Sequence, residues 1–126
     1  MNLKHVALVS SSEERADTFY AVLLGLTKSE PKTLPRELSK AIFNVDQKLV
    51  MINYRDDRVH FEIFIAPSDG ENSTKIEHTC LEVDDLDVFL EKCHRLNIDV
   101  RRIPKGDKTL TFIRDFDGNL FEIKAG

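Results

Sequence analysis

The chain has 126 residues, of which 32% are charged and 41% hydrophobic, and its formal net charge is −4. This length fits one globular domain, and the negative charge argues against a nucleic-acid partner, because nucleic-acid binding favours a basic surface. No apolar run approaches the ~20 residues of a membrane span, so no membrane partner is expected. The first residues enter a strand pattern without the apolar core of a signal peptide. The two cysteines, Cys80 and Cys93, have no metal or redox spacing, and a cytoplasmic location is therefore expected.

The first half begins with a predicted strand over 3–9, which is apolar and rich in β-branched residues. Three serines and two glutamates follow, and they predict a capped helix over 13–24 that ends at Gly25. Pro31 and Pro35 interrupt the next stretch, which we interpret as an inserted loop. Three further strands are predicted at 41–45, 49–54 and 59–65.

The second half repeats this order after a polar linker over 67–74. A strand is predicted over 76–83 and a helix over 86–96, with Asn97 at the place that Gly25 takes in the first half. Strands follow at 98–103, 109–114 and 119–124, with a hairpin turn over 115–119. The chain therefore reads as one α+β domain of two tandem βαβββ modules, about 1–66 and about 75–126.

Each half opens with a strand that carries one histidine and closes with a Phe-Glu-Ile strand. The histidines are His5 and His78, and the glutamates are Glu62 and Glu122. Because strand side chains alternate between faces, the apolar neighbours of both histidines suit the helix side and the histidines suit the concave side. Alternation alone does not fix the face of either glutamate, but the repeat indicates that the two occupy matching places.

Two imidazoles and two carboxylates would form a mixed nitrogen and oxygen site. Such a set suits Ni, Zn, Co, Mn or Fe(II) better than Mg or Ca, which prefer oxygen ligands. By strand parity His60 shares a face with Glu62, and Cys80 shares a face with His78, so both are candidates for the cavity. Their alternative interpretations are a partly exposed edge-strand histidine and a packed thiol.

Four segments resemble the vicinal oxygen chelate superfamily, which includes glyoxalase I and the bleomycin-resistance proteins. They are Leu3-Lys4-His5-Val6-Ala7-Leu8, the Phe19-Tyr20 to Leu24-Gly25-Leu26 helix, Ile76-Glu77-His78-Thr79, and Asp115-Phe116-Asp117-Gly118-Asn119-Leu120-Phe121-Glu122-Ile123. The resemblance covers nearly the whole chain. It implies paired modules whose curved mixed sheets surround a metal, in a protein that forms homodimers.

The resemblance also implies a ligand set of His5, Glu62, His78 and Glu122, which is most similar to glyoxalase I (lactoylglutathione lyase). Relatives that are methylmalonyl-CoA epimerases usually carry Gln at the place of Glu62, and fosfomycin-resistance relatives lack that carboxylate. The implied activity is a metal-dependent lyase or isomerase that converts a hemithioacetal or related hydroxy-carbonyl compound through an enediolate. Either Glu122 or Glu62 could be the catalytic base, and the resemblance favours Glu122.

The resemblance implies glutathione or another thiol as co-substrate, but this chain departs from glyoxalase I at two positions that contact glutathione. Bacterial glyoxalase I usually carries a glutathione-binding Arg and Asn where this chain has Val9 and Ala66. The small-molecule substrate therefore stays open, as does the placement of the four ligands in one chain or across a dimer.

Two other functions compete with the lyase. In an extradiol-type dioxygenase, His5, His78 and Glu122 would hold Fe(II), but Glu62 would then occupy a place needed for substrate or O₂. A non-catalytic protein that binds an antibiotic would tend to lose the ligands, and this chain has no Trp for stacking.

Overall fold

The computed structural model describes residues 4–66 and 78–126, except for the side chains of Ile42 and Phe43. The chain divides into two compact units, Met1–Asp69 and Gly70–Gly126. Each unit contains helix and a mixed sheet, which confirms the predicted α+β class. The predicted linker at 67–74 lies outside the described residues.

The first unit is built on a five-stranded sheet. Its strands run in the order β1-β5-β4-β2, with β3 also paired to β4, and only the β1–β5 pair is parallel among these. The elements are β1 (Val6–Ser10), α1 (Glu13–Ala16) continued by a π-helix (Asp17–Leu23), β2 (Thr27–Lys28), β3 (Lys32–Leu34), α2 (Arg36–Phe43), β4 (Leu49–Arg55) and β5 (His60–Ile65).

The predicted helix over 13–24 is present, but its hydrogen bonding changes along its length. Ser12 caps the start, because its side chain accepts a hydrogen bond from the Arg15 backbone N–H at 3.1 Å. From Asp17 the helix widens to π geometry, and the Leu24 N–H donates to the Phe19 carbonyl five residues back. Gly25 ends the helix at φ 71°, a conformation that glycine adopts readily.

The prediction of a strand over 41–45 is wrong, because α2 occupies Arg36–Phe43. The helix begins directly after Pro35, whose extended backbone forms the N-cap, and ends at Asn44 in the left-handed region at φ 59°. Arg36 and Asp46 form an ion pair across the two ends of this segment. A short apolar run fits a strand or a helix equally well, so the sequence pattern alone does not distinguish the two.

The core of the first unit lies between its sheet and its first helix. Tyr54 and Phe61 are buried on the helix side of β4 and β5, and both rings lie about 5.5 Å from the Tyr20 ring. The Tyr54 hydroxyl donates to Asp17 at 2.8 Å, and its burial raises the pKa of the phenol. Because side chains alternate along a strand, the residues of β4 and β5 next to these point to the opposite face of the sheet.

The second unit has a four-stranded sheet in the order β6-β9-β8-β7, in which β6 and β9 are parallel. Asp85 caps the helix of this unit by accepting a hydrogen bond from the Val88 N–H. Asn97 follows the helix and has a positive φ of 59°, as expected for the residue that takes the place of Gly25. The elements are β6 (Thr79–Val83), α3 (Leu86–Arg95), β7 (Val100–Lys105), β8 (Lys108–Arg114) and β9 (Leu120–Ala125).

The turn between β8 and β9 is held by one buried carboxylate. Asp115 accepts hydrogen bonds from the backbone N–H groups of Asp117 and Asn119 and from the Asn119 side-chain amide, at 2.7 to 3.0 Å. Gly118 in the same turn has φ 86°. This turn fixes the start of β9, which begins at Leu120 directly before the motif Phe121-Glu122-Ile123.

None of the helices in the described parts of the chain combines the length and the apolar character that crossing a bilayer requires.

Candidate functional site

The first histidine–glutamate pair lies on the sheet face opposite the first helix. In the parallel β1–β5 pair Ala7 is the register partner of Glu62, and His5 precedes Ala7 by two residues on the same face. The His5 Nε2 and Glu62 Oε1 atoms are 3.4 Å apart. The His5 side chain is 42% exposed and the Glu62 side chain is 22% exposed, so both can contact a ligand.

The second pair has the same construction in the second unit. Cys80 is the register partner of Glu122 in the parallel β6–β9 pair, and His78 precedes Cys80 by two residues. His78 Nε2 lies 3.7 Å from Glu122 Oε1, and the two side chains are 43% and 15% exposed. Each sheet therefore presents one imidazole and one carboxylate side by side.

The register of the two sheets matches beyond the pairs themselves. Asn53 on β4 is the partner of Glu62, and Phe112 on β8 is the partner of Glu122. In both units the order across the face is a histidine strand at the edge, a glutamate strand beside it and an antiparallel strand beyond. We call each such His–Glu pair with its strands a half-site.

The first half-site contains a second histidine in direct contact with Asn53. His60 Nε2 lies 2.7 Å from the Asn53 side-chain oxygen, and the His60 ring is 5.5 Å from the His5 ring. Partial burial lowers the pKa of His60, and the nearby His5 and Arg55 act in the same direction, whereas Glu62 opposes them. His60 is thereby favoured as a neutral imidazole that donates to Asn53.

The second half-site has different neighbours. The His78 ring meets the edge of Phe112 at 6.1 Å, and the Lys124 ammonium lies 3.9 Å from the second Glu122 oxygen. Cys80 is an exposed free thiol beside Glu122, and His94 is exposed on α3. The two half-sites thus share their ligand types but differ in the groups around them.

Sequence reasoning did not identify Asn53 or Phe112. Strand parity predicts Lys124 on the same face as Glu122, because it follows Glu122 by two positions, but it does not predict the ion pair between them. Asn53 and Phe112 lie on other strands, and only the register of β4 and β8 brings them to the glutamates.

The donor atoms of each half-site fit a shared divalent cation in type and spacing. Two ligand atoms that each lie about 2.1 Å from one ion are about 3 to 4 Å apart at the usual coordination angles. The separations of 3.4 and 3.7 Å fall in that range and exceed a good hydrogen bond. Each half-site supplies two ligands, and the described residues gather no group of three or more metal-ligating side chains.

The chain belongs to the Glyoxalase/Bleomycin resistance protein/Dioxygenase superfamily, whose family model matches residues 2–123. This confirms the family resemblance and the fold that it implied. Among curated proteins, none matches the chain.

Solved structures with similar folds include a fosfomycin-resistance protein, FosX, from Mesorhizobium loti, with a TM-score of 0.70 and 17% identity over 99% of this chain and 91% of that one. A glyoxalase family protein from Enterococcus faecalis has a TM-score of 0.69 and 21% identity over 97% and 95%. A FosX variant from Listeria monocytogenes, crystallised with Mn(II) and 1S,2S-dihydroxypropylphosphonic acid, has a TM-score of 0.72 and 16% identity over 99% and 90%.

Proposed function

We propose that the protein is a metal-dependent enzyme of the glyoxalase type, a lyase or isomerase that acts on a small hydroxy-carbonyl compound such as a hemithioacetal. The observation that carries the proposal is the shared register of the two half-sites. In each, one histidine and one glutamate from a parallel strand pair lie side by side on the exposed face. A core or surface role for any one of these residues would not require that match.

The metal ligands in this proposal are His5, Glu62, His78 and Glu122, and they come either from one chain or from two chains of a dimer. A bound divalent cation would act as a Lewis acid toward adjacent substrate oxygens. The two imidazoles serve as neutral nitrogen donors, and the two carboxylates offset the charge of the cation. The Mn(II) named for the FosX structures supports a divalent metal in this family.

Glu122 is the proposed catalytic base, with Glu62 as the other carboxylate in reach of the same substrate. Glu122 is the less exposed of the two, at 15% against 22%, and Lys124 places a positive charge 3.9 Å from its second oxygen. A carboxylate at this place could accept a proton from the carbon next to the substrate carbonyl. His60 and Cys80 lie beside the ligands and are proposed to line the substrate cavity.

A homodimer is part of the proposal, as in the superfamily that the sequence resembles. Each sheet ends in the edge strand that carries the histidine, β1 or β6, and an exposed edge favours coverage by another surface. A second copy of the chain could provide that coverage.

Metal content tests the site directly. Wild-type protein purified without chelator is expected to hold one divalent ion per chain, and His5→Ala and Glu122→Gln are expected to lose most of it, because each removes a ligand. His94→Ala and Glu91→Gln on α3 are the matched controls and should keep the metal. If elemental analysis finds the metal content of His5→Ala and Glu122→Gln unchanged, the proposed metal site is wrong.

Substrate assays then test the reaction class. Methylglyoxal with glutathione, and next with other small thiols, should give metal-dependent turnover that Glu122→Gln abolishes while the fold is retained. Because Val9 and Ala66 replace the usual glutathione contacts, another thiol is expected to be the better co-substrate. Turnover of fosfomycin, the compound named for the FosX structures, would contradict the lyase proposal.

A further inference from the structure

Beside the first half-site is a cleft of about 710 Å³ that the proposed metal ligands do not line. Its walls come from the residue before His5, from β2, and from the β4–β5 turn with His60. A volume of this size accommodates a small molecule or a large part of one. His60 joins the cleft to the half-site, since its ring is 5.5 Å from the His5 ring.

The charged groups of the cleft are mainly cationic. Four are basic and two are acidic: Lys4, Lys28, Arg55, Arg58, Asp56 and Asp57. The whole chain carries a net charge of −4, so this positive excess is local.

Hydrogen bonds within the unit already satisfy two of these six groups. Lys28 is paired with Glu13 and with Asp17, and the hydrogen bond that it donates to Glu13 contributes most to its raised pKa. The Asp56 carboxylate accepts from the backbone N–H groups of Arg58 and Val59 at 2.8 and 2.9 Å, which lowers its pKa.

Three cations remain available in the cleft. Within the described ranges 4–66 and 78–126, the side chains of Lys4, Arg55 and Arg58 have no hydrogen bond or ion pair, and all three are exposed. Asp56 and Asp57 are the acidic groups of the cleft that offset them, and the charge of Arg58 contributes to the lowered pKa of Asp56. Arg55 and Arg58 line the cleft on either side of a tight turn whose backbone is fixed by Asp56.

We propose that this cleft binds an anionic group, a phosphate, phosphonate or carboxylate, carried by the substrate whose reactive oxygens lie at the His5–Glu62 half-site. Guanidinium groups bind such oxyanions through paired, charge-assisted hydrogen bonds, and Lys4 adds a mobile point charge. His60 would contact the part of the molecule between the anionic end and the metal ligands. The anion site stands on its own, and only its assignment to the substrate rests on the proposed function.

The first test uses metal-free protein and inorganic phosphate, with binding followed by calorimetry and by backbone amide NMR. Amide shifts are expected at Lys4 and across Arg55–His60. Arg55→Gln/Arg58→Gln should weaken binding by about tenfold or more, since both guanidinium donors of the cleft are removed. Asp56 fixes the turn through backbone groups, so the double variant should fold.

The control is Arg101→Gln/Arg102→Gln, a second pair of exposed arginines on β7 that should bind phosphate as wild type does. A parallel titration with acetate distinguishes the possible anionic groups of the substrate. If phosphate binds more strongly than acetate, the group is a phosphoryl or phosphonyl group. If acetate binds equally or more strongly, the group is a carboxylate. Shifts that map away from the β4–β5 turn, or unchanged affinity in the Arg55/Arg58 variant, would overturn the anion site.

The second test loads the protein with Mn(II) and follows the ³¹P signal of phosphate. Phosphate held in the cleft should broaden because it lies close to the paramagnetic ion, and the broadening should disappear in the Arg55/Arg58 variant. Broadening that persists there would show phosphate binding to the ion itself and would overturn the assignment to the substrate. Failure to bind Mn(II) would refute the proposed function without changing the metal-free result.

Discussion

At the residue scale, the two cysteines of the chain have opposite environments. Cys80 is exposed beside Glu122, whereas Cys93, a residue of α3, is fully buried, and burial raises the pKa of its thiol to about 11. The thiolate is the reactive form, so the Cys93 side chain is both inaccessible and protonated at neutral pH.

We expect one thiol per chain to react with Ellman's reagent in the native, metal-free protein at pH 8, and two after denaturation. In Cys80→Ser, the native count should fall to zero. A fast-reacting thiol in native Cys80→Ser would contradict this assignment.

The raised pKa of Cys93 also makes the stability of the protein depend on pH, because the unfolded chain releases the Cys93 proton first, near the ordinary value of 9.0. The contribution of this thiol to stability is therefore complete below pH 9 and declines as the pH rises toward 11.

Alternation along single strands predicts which neighbours share a face with His5 and His78, because the period of two is a local property. The contact between His60 and Asn53 could not be predicted in the same way. It depends on the register of β4 against β5, which is fixed by the packing of Tyr54 and Phe61 on the helix side.

At the element scale, the turn between β8 and β9 should be a point of local stability. Asp115→Ala removes the acceptor of three hydrogen bonds and leaves partly buried donors unpaired, at a cost of about 1–3 kcal/mol of unfolding free energy. Urea unfolding measures the change, and Asp99→Ala, at an exposed position before β7, is the control and should change it little. Equal midpoints for Asp115→Ala and wild type would show that the turn is not held by this carboxylate.

The helices show where sequence patterns are sufficient and where they are not. Ser12 and Asp85 were predictable as caps, because a side chain that accepts from the N3 backbone N–H needs only local sequence. The change to π geometry at Asp17 has no comparable local signal. There the Asp17 side chain bonds Tyr54, 37 residues away, and tertiary contacts of that kind are invisible to a periodicity argument.

At the scale of the whole molecule, the proposal predicts that both half-sites contribute ligands to the same metal ion. Variants with either half removed, His5→Ala/Glu62→Gln or His78→Ala/Glu122→Gln, should each lose the single ion, because two ligands hold a divalent metal far less well than four. Added Zn(II) should raise the melting temperature of wild type and leave both variants unchanged. Independent binding of one ion by each half would contradict a joint site.

Mixing the two double variants then locates the joint site. If the ligands come from different copies of the chain, mixed dimers regain one intact set and about half of the metal of a wild-type dimer, since one of their two sites is whole. If all four ligands come from one chain, mixing restores nothing. Dimer formation itself is measured by sedimentation and should be independent of these substitutions.

The shared register of the two sheets has a stereochemical consequence. The two half-sites have the same ligand types, so the ligands alone would not distinguish one end of a bound molecule from the other. The neighbours differ, since Asn53 and His60 flank Glu62, whereas Phe112 and Lys124 flank Glu122. In the proposed enzyme, a substrate group at the first half-site would meet hydrogen-bonding side chains, and one at the second half-site would meet a ring and a cation. That difference would let the enzyme favour one enantiomer of its product.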